Sequence, residues 1–287
     1  MNSVTEDIRA MVTLRRGDCL ELLKEMDDDS VDLVFTSPPY ESARSYGIDF
    51  NLKGQEWVDW AFERYVECVR VSRGLVAWVV EGRTRDFRYS ATPLLLGADL
   101  HRAGIRLRKP PAFVRHGIMG GGGPDWFRND YELVLCSSKG RLPWSDNTAC
   151  GSPPKYKPGG NPSHRSRDGR VNRPRPQREG DAKRVRTYKP PKIANPGNVI
   201  RCAVGGNNMG SKLAHQNEAP FPEQLAERFV LSCCPPVGTV LDPFVGSGTT
   251  AAVAVRNERN VVGFDIRQSQ IELSWQRLME VPSEVTS

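Results

Sequence analysis

The run LDPFVGSGTTAAVA, residues 241–254, reads as an apolar strand that ends in a glycine turn and continues at once as a helix. Gly246 and Gly248 let the backbone approach a ligand closely, and the helix start supplies unpaired N–H donors. With Ala251 the stretch fits G-x-G-x-x-A. Nineteen residues after Gly246, Asp265 ends the next strand, where a carboxylate can accept both ribose hydroxyls of an adenosine-containing cofactor. It is not a nucleoside-triphosphate loop, because no lysine follows Gly248. Only one more strand, NVVGFDI, and one more helix, QSQIELSWQRLME, follow. A doubly wound sheet built on this loop must therefore take its other strands from the N-terminal half. A nicotinamide dehydrogenase would place the loop early in the chain instead.

The N-terminal half has what is needed. VTLRRGDC reads as a strand ending at Asp18, LELLKEM as a helical turn pair, and VDLVFT as a buried strand. QEWVDWAFERYVECVRVS repeats apolar residues at helical spacing and stops near Gly74. LVAWVVEG is a near-continuous apolar strand of the kind buried on both faces, ATPLLLGADLHRAG a helix and YELVLCSS a strand. In the tail, PFPEQLAERFVLSC is a helix with Pro222 in its first turn and Glu223 near the positive end of its dipole. Strands and helices alternating on both sides of a loop-rich stretch predict one α/β domain with a mostly parallel, doubly wound sheet. The expected division is a first half over 1–139, an insert over 140–198 and a cofactor half over 199–287.

The insert differs in charge as well as texture. Between Lys155 and Lys192 there are 13 Lys and Arg against 3 acids, whereas the rest of the chain is slightly acidic. A basic segment on an acidic body points to a polyanionic partner. The seven cysteines include no C-x-x-C pair, and the four histidines have no ligand spacing, so no metal site is expected. No run is long enough for a membrane span and the N-terminus lacks a signal-peptide core. The expectation is a reduced cytoplasmic protein with no membrane partner.

VDLVFTSPPY, residues 31–40, poses the functional question, because its strand stops at two prolines with a tyrosine just beyond. Proline cannot continue a sheet, so a plain turn would explain the stop. A rigid bracket for a flat, hydrogen-bonding substrate explains it as well. The second Ser-Pro-Pro, at 152–154, has no strand before it and Lys155 after it, and reads as loop. Trp126 and Tyr131, around the glycine-rich stretch MGGGGPDWFRND, are rings that either flank a flat substrate or pack in the core.

Together these residues resemble the DNA methyltransferases that modify exocyclic amino nitrogens, in their circularly permuted beta arrangement. Thr36-Ser37-Pro38-Pro39-Tyr40 is similar to the family's catalytic motif. Asp242-Pro243-Phe244-Val245-Gly246-Ser247-Gly248-Thr249-Thr250 is similar to its cofactor loop. Gly17-Asp18-Cys19 resembles the short motif whose aspartate meets the cofactor adenine, and EAPFPEQLAERF, with Phe221, the segment before the cofactor loop. NDYELVLCSSKG resembles the strand that closes the catalytic half, and the basic insert occupies the place of the target-recognition region.

The resemblance implies a Rossmann-like fold that binds S-adenosylmethionine. It implies double-stranded DNA as partner, in a bacterium or from a phage, with a homodimer and a separately acting restriction endonuclease as further possible partners. Ser37 and the Pro38 carbonyl would accept the two amino hydrogens of a base that has left the duplex, and Tyr40 would stack on it. Ser37 favours cytosine N4, with adenine N6 as the alternative. A non-catalytic DNA-binding protein on the same fold is the competing class. No cysteine nucleophile is expected, in contrast to carbon-5 methylation.

Overall fold

The computed structural model describes residues 11–41, 50–116, 124–154, 164–165, 171–172, 191–217 and 219–281. Most of the basic insert, and residues 119–123 of the glycine-rich stretch, lie outside the described residues.

The first half runs β1 (Val12–Arg16), α1 (Cys19–Lys24), β2 (Val31–Thr36), α2 (Gln55–Val71) and β3 (Ser72–Val80). A hairpin of β4 (Thr84–Arg85) and β5 (Arg88–Tyr89) follows, then α3 (Thr92–Arg102), β6 (Leu107–Arg108), β7 (Ala112–His116) and β8 (Tyr131–Ser137). The short pair β9 (His164–Arg165) and β10 (Val171–Asn172) belongs to the insert. The second half is β11 (Val199–Ala203), α4 (Glu223–Cys233), β12 (Thr239–Asp242), α5 (Thr249–Arg256), β13 (Asn260–Asp265) and α6 (Gln268–Met279).

Nine of these strands form one sheet in the order β1-β13-β12-β2-β3-β8-β7-β11, with β6 beside β8. In this sheet β8 pairs antiparallel with β3, β6 and β7, while the other pairings are parallel. The α/β expectation of a mostly parallel sheet is met. β6, β7 and β11 are additions to the expected strands; β7 is mostly half-buried and β11 alternates exposed and buried positions, so neither shows a continuous apolar run.

Helices cover both faces. Side chains alternate across each strand, so Leu75, Ala77 and Val79 of β3 join one core while Val76, Trp78 and Val80 join the other. The first core is closed by Leu225 and Phe229 of α4, Ala251 and Ala254 of α5 and Ile271 of α6. The second is closed by Leu22 and Leu23 of α1, Trp57, Ala61 and Tyr65 of α2, and Leu96 and Leu100 of α3. Each large apolar side chain among them contributes roughly 1.5–3 kcal/mol when fully buried.

The sheet brings together what the sequence separates. β12 and β2 are neighbours, with Val240 opposite Leu33 and Leu241 opposite Val34, although they lie far apart in the chain. From β12 the chain winds through α5 to β13 on one side, and from β2 through α2 to β3 on the other. Their carboxyl ends thus form the switch point where open α/β sheets bind ligands.

The insert leaves from a stem. Ser152 and Ala194 pair in an isolated antiparallel bridge, with the Ala194 amide donating to the Ser152 carbonyl at 2.9 Å. Before it, Leu142 packs on the first core and the Asp146 amide donates to the Ser232 carbonyl at 3.0 Å, so the chain hugs the body beyond residue 140.

Candidate active site

Two cavities open at the carboxyl edge of the sheet. The first, about 840 Å³ with its open mouth, lies between the ends of β1, β2, β12 and β13. Asp18, Ser37, Pro38, Pro39, Tyr40, Pro243, Phe244, Gly246 and Asp265 all line it. The second, about 1470 Å³ on the same measure, lies toward β3, β7 and β8, and Ser37 and Tyr40 line it too. The Ser-Pro-Pro-Tyr turn is therefore the wall between them.

That turn is fixed from three sides. The Trp57 indole N–H of α2 donates to the Pro39 carbonyl at 2.9 Å. Glu41, buried just after Tyr40, accepts from the amides of Gly54 (2.9 Å) and Arg83 (3.2 Å) and from the Thr92 hydroxyl (3.3 Å). Burial alone would raise its pKa, but the Ser90 hydroxyl together with these donors overcomes it and holds it lowered. The Ser37 hydroxyl donates to the Tyr40 hydroxyl at 3.1 Å, which donates to Glu132 at 2.8 Å. Glu132 is paired with Arg115 at 3.1 Å. With its proton engaged on Tyr40, the Ser37 oxygen keeps lone pairs available to accept from a substrate amine.

The glycine loop between β12 and α5 is built differently from what the motif suggests. Gly246 and Gly248 both adopt positive φ, 49° and 78°, which glycine allows. A Cβ on Gly246 would lie 2.8 Å from the Asn217 amide nitrogen. The Gly246 amide donates to Asp265 at 3.2 Å, and the Arg267 amide donates to the same carboxylate at 2.9 Å. Burial pushes the Asp265 pKa up.

Six of the expected cofactor residues do not line this cleft. Asp242 is buried, with burial pushing its pKa to about 6, and it accepts from the Thr36 hydroxyl and the Phe244 amide. It ties the glycine loop after β12 to the end of β2. Ser247, Thr249 and Thr250 are buried at the start of α5, where the hydroxyl of Thr249 accepts from Arg277 at 2.8 Å and that of Thr250 donates to the Phe35 carbonyl at 3.4 Å. Gly248 is the N-cap of α5 and is not on the cleft wall. Phe221 lines the second cavity rather than the first, its ring edge-on to Phe35 at 5.3 Å.

Asp18 lines the cleft with both oxygens engaged. It caps α1 through the Leu20 amide (2.8 Å) and takes two bonds from Arg64 (2.9 and 3.1 Å). Arg64 in turn lies 4.5 Å over the Trp60 ring. Phe50, Trp60 and Phe244 make an aromatic wall, with Trp60 4.9 Å from Phe50 and 5.7 Å from Phe244. The helical pattern of α2 marks Trp60 as core, since periodicity cannot tell a core from a cleft wall. Glu81 and Arg115 in the second cavity carry no signal in the sequence, being single charged residues on or beside strands, and Glu132 lies in the stretch NDYELVLCSSKG without being singled out there.

Burial raises the pKa of every cysteine in the chain, to about 12 for Cys19 at the cleft, so none is a thiolate at neutral pH. Among the described residues, no group of His, Cys, Asp and Glu could hold a metal ion. No helix among them is long and apolar enough to cross a membrane.

A family model described as DNA methylase, N6_N4_Mtase, matches residues 31–276. The chain belongs to the N6/N4 DNA methylase family. The orphan methyltransferase M.BamHII of Bacillus amyloliquefaciens is 30% identical over 271 residues, covering 89% of this chain and 91% of that protein. The DNA adenine methyltransferase YhdJ of Escherichia coli (strain K12) is 27% identical over 267 residues, covering 93% and 82%. Among solved structures, PvuII DNA methyltransferase (cytosine-N4-specific) superposes with TM-score 0.66 at 19% identity, covering 97% of this chain and 91% of that one. M1.HpyAVI in complex with SAM superposes with TM-score 0.55 at 18% identity, covering 93% and 100%. The fold of this DNA methylase is thus the Rossmann-like methyltransferase fold, and its reaction is methyl transfer to DNA.

Proposed function

We propose that this DNA methylase transfers a methyl group from S-adenosylmethionine to the exocyclic N4 of a cytosine flipped out of double-stranded DNA. The observation that carries the reading is the Ser37–Tyr40 turn standing as the shared wall of two cavities. In-line displacement needs donor and nucleophile on either side of one narrow point, and a wall of four residues provides it.

The first cavity suits the cofactor chemically. Two carboxylates, Asp18 and Asp265, and an aromatic wall suit a cationic, adenosine-bearing group, and glycine at 246 leaves room that a side chain would fill. Asp265, Phe244 and Asp18 would hold it, and bound there S-adenosylmethionine supplies the methyl carried on its sulfonium. Ser37 and the Pro38 carbonyl accept the amino hydrogens, drawing the nitrogen lone pair out of conjugation and stabilising the positive charge that develops, with S-adenosylhomocysteine as the leaving product and one amino proton released to water. Tyr40 stacks on the base with its hydroxyl anchored to Glu132. The catalytic turn precedes the cofactor loop in the chain, the order of the beta arrangement.

Ser37 at the first position of the turn supports cytosine, as does the cytosine-N4-specific name of PvuII methyltransferase. The adenine reading draws on YhdJ, and the same acceptors bond either amine. The test is mass spectrometry of nucleosides after incubating unmethylated DNA with the protein and S-adenosylmethionine. N4-methylcytosine is expected; N6-methyladenine overturns the base choice, and no methylated nucleoside on varied DNA overturns catalysis. Residues 155–192 serve as phosphate contacts in this reading, so DNA affinity is expected to fall steeply with salt. Binding isotherms across a salt series that stay level would remove that role.

A further inference from the structure

Two exposed loops that carry aromatic rings have their roots in the wall of the second cavity. On one side is the β4–β5 hairpin, whose root at Gly82, Arg83 and Thr84 lines the cavity. Its tip residues, Asp86 and Phe87, hold φ of 49° and 61°, the left-handed values of a tight two-residue turn that Asn-Gly usually fills. Phe87 is 79% exposed there. Arg85 and Arg88 are exposed and face each other directly across the hairpin. Like charges in that position oppose the pairing.

On the other side Trp126 and Phe127 are 75% and 83% exposed, their rings 5.5 Å apart, so Trp126 is not a core residue. Their loop is moored to the cavity wall. The Arg115 amide donates to the Asp130 carbonyl at 2.8 Å and its guanidinium to the Asn129 carbonyl at 3.0 Å. That guanidinium also pairs with Glu132, the anchor of Tyr40.

A single exposed ring is ordinary, but three on two loops whose roots line one cavity, with a left-handed turn and an opposed arginine pair on one of them, mark a contact surface. A partner for it must offer flat apolar faces next to negative charge, which a nucleic acid does with stacked bases and phosphates. We propose that Phe87, Trp126 and Phe127 stack against the bases flanking the target nucleotide and occupy the space it leaves, with Arg85 and Arg88 on the adjoining phosphates. The inference rests on the second cavity being the pocket of a flipped base. Extruding a base costs its pairing and stacking, and rings that take its place in the stack recover part of that loss.

The test compares Phe87→Ala and the double variant Trp126→Ala/Phe127→Ala with wild type on two duplexes. One is fully paired; the other carries a mismatch opposite the target base. All three side chains are exposed, and melting curves verify that the variants fold. On the paired duplex kcat/KM is expected to fall roughly 10- to 100-fold, the scale of one or two lost base–aromatic stacks. On the mismatched duplex, where extrusion is cheap, the loss should be several times smaller. Equal losses on both duplexes, or none on either, overturn the wedge while leaving methyl transfer in place.

A second readout does not depend on turnover. Duplex DNA should quench a component of tryptophan fluorescence that Trp126→Phe lacks. If wild type methylates no DNA, the function reading fails, and this quench still decides the contact. Quenching by anionic lipid vesicles but not by duplex would overturn it.

Discussion

Tyr40 lines both cavities, yet its hydroxyl is anchored away from the cofactor cleft, on Glu132 and through it on Arg115. The anchor is testable apart from the ring. Tyr40→Phe keeps the stacking surface but frees its orientation, and small misplacements at a reacting centre cost up to about 100-fold. We expect kcat to fall roughly 10- to 100-fold with KM for S-adenosylmethionine nearly unchanged, measured by radiolabelled methyl transfer; an unchanged kcat would show that the hydroxyl anchor is dispensable. Tyr40 can be read in the sequence because it sits in a motif, whereas Glu132 sits 92 residues away and reaches it only through the sheet. Gly74 gives the opposite lesson. The sequence marks it as the stop of a helix, but it lies inside β3, where a Cβ would overlap the Asp32 carbonyl oxygen. That atom is backbone and cannot rotate away. Gly74→Ala should therefore destabilise the protein by about 2–4 kcal/mol, read from the midpoint of a urea titration. A midpoint equal to wild type would mean that β2 and β3 can part without cost.

At the scale of elements, the cofactor loop depends on a buried clamp of α4, α5 and α6. Arg277 of α6 is 1% exposed and donates to Thr249 at the start of α5, to Glu223 of α4 (2.7 Å) and to the Met209 carbonyl (3.0 Å). Glu223 also pairs with Arg256 of α5 at 2.6 Å. Burial would raise the Glu223 pKa, but the two arginines outweigh it and lower it. Arg277→Met removes one partner and leaves a partly buried carboxylate half-compensated, which costs on the order of 2–3 kcal/mol, less than breaking a fully buried pair. The start of α5 loosens with it, so S-adenosylmethionine affinity should fall along with the melting temperature. Calorimetric titration checks this, and a destabilised variant with wild-type affinity would separate the clamp from the site. From sequence, Glu223 has only a dipole role, and Ser247 and Thr249 fall to the cofactor. Helix periodicity locates a face but not which distant arginine meets it. The same limit hides β7 and β11, whose short, half-exposed patterns resemble loop, whereas the long apolar runs of β2 and β3 are plain.

For the molecule as a whole, the edge where two chain halves meet concentrates buried carboxylates with opposed titration behaviour. Burial raises Glu81 to about 7 and Asp242 to about 6, and it also raises Glu132 and Asp265. The folded chain therefore holds protons that the unfolded chain, with ordinary carboxylates near pH ~4, has already released. Stability from these four groups is complete below about pH 4 and is lost as pH rises through their raised folded values, about 6 for Asp242 and about 7 for Glu81. Glu41 and Glu223 are lowered and act in the other sense, contributing above about pH 4.5 and losing that contribution as pH falls. The two sets oppose each other, the raised carboxylates favouring the folded chain on the acid side and the lowered pair favouring it as pH rises above about 4.5. A tenfold difference in proton affinity between folded and unfolded chains is worth about 1.4 kcal/mol, so Asp242 alone, raised from its ordinary value to about 6, accounts for on the order of 2–3 kcal/mol of this slope. Asp242→Asn removes its ionisation while keeping an oxygen that can accept from Thr36 or from the Phe244 amide. Melting temperature plotted from about pH 5 to 7.5 should fall for wild type and fall less for Asp242→Asn. Parallel curves would mean that Asp242 titrates alike in folded and unfolded chains, and that another of the buried carboxylates carries the slope.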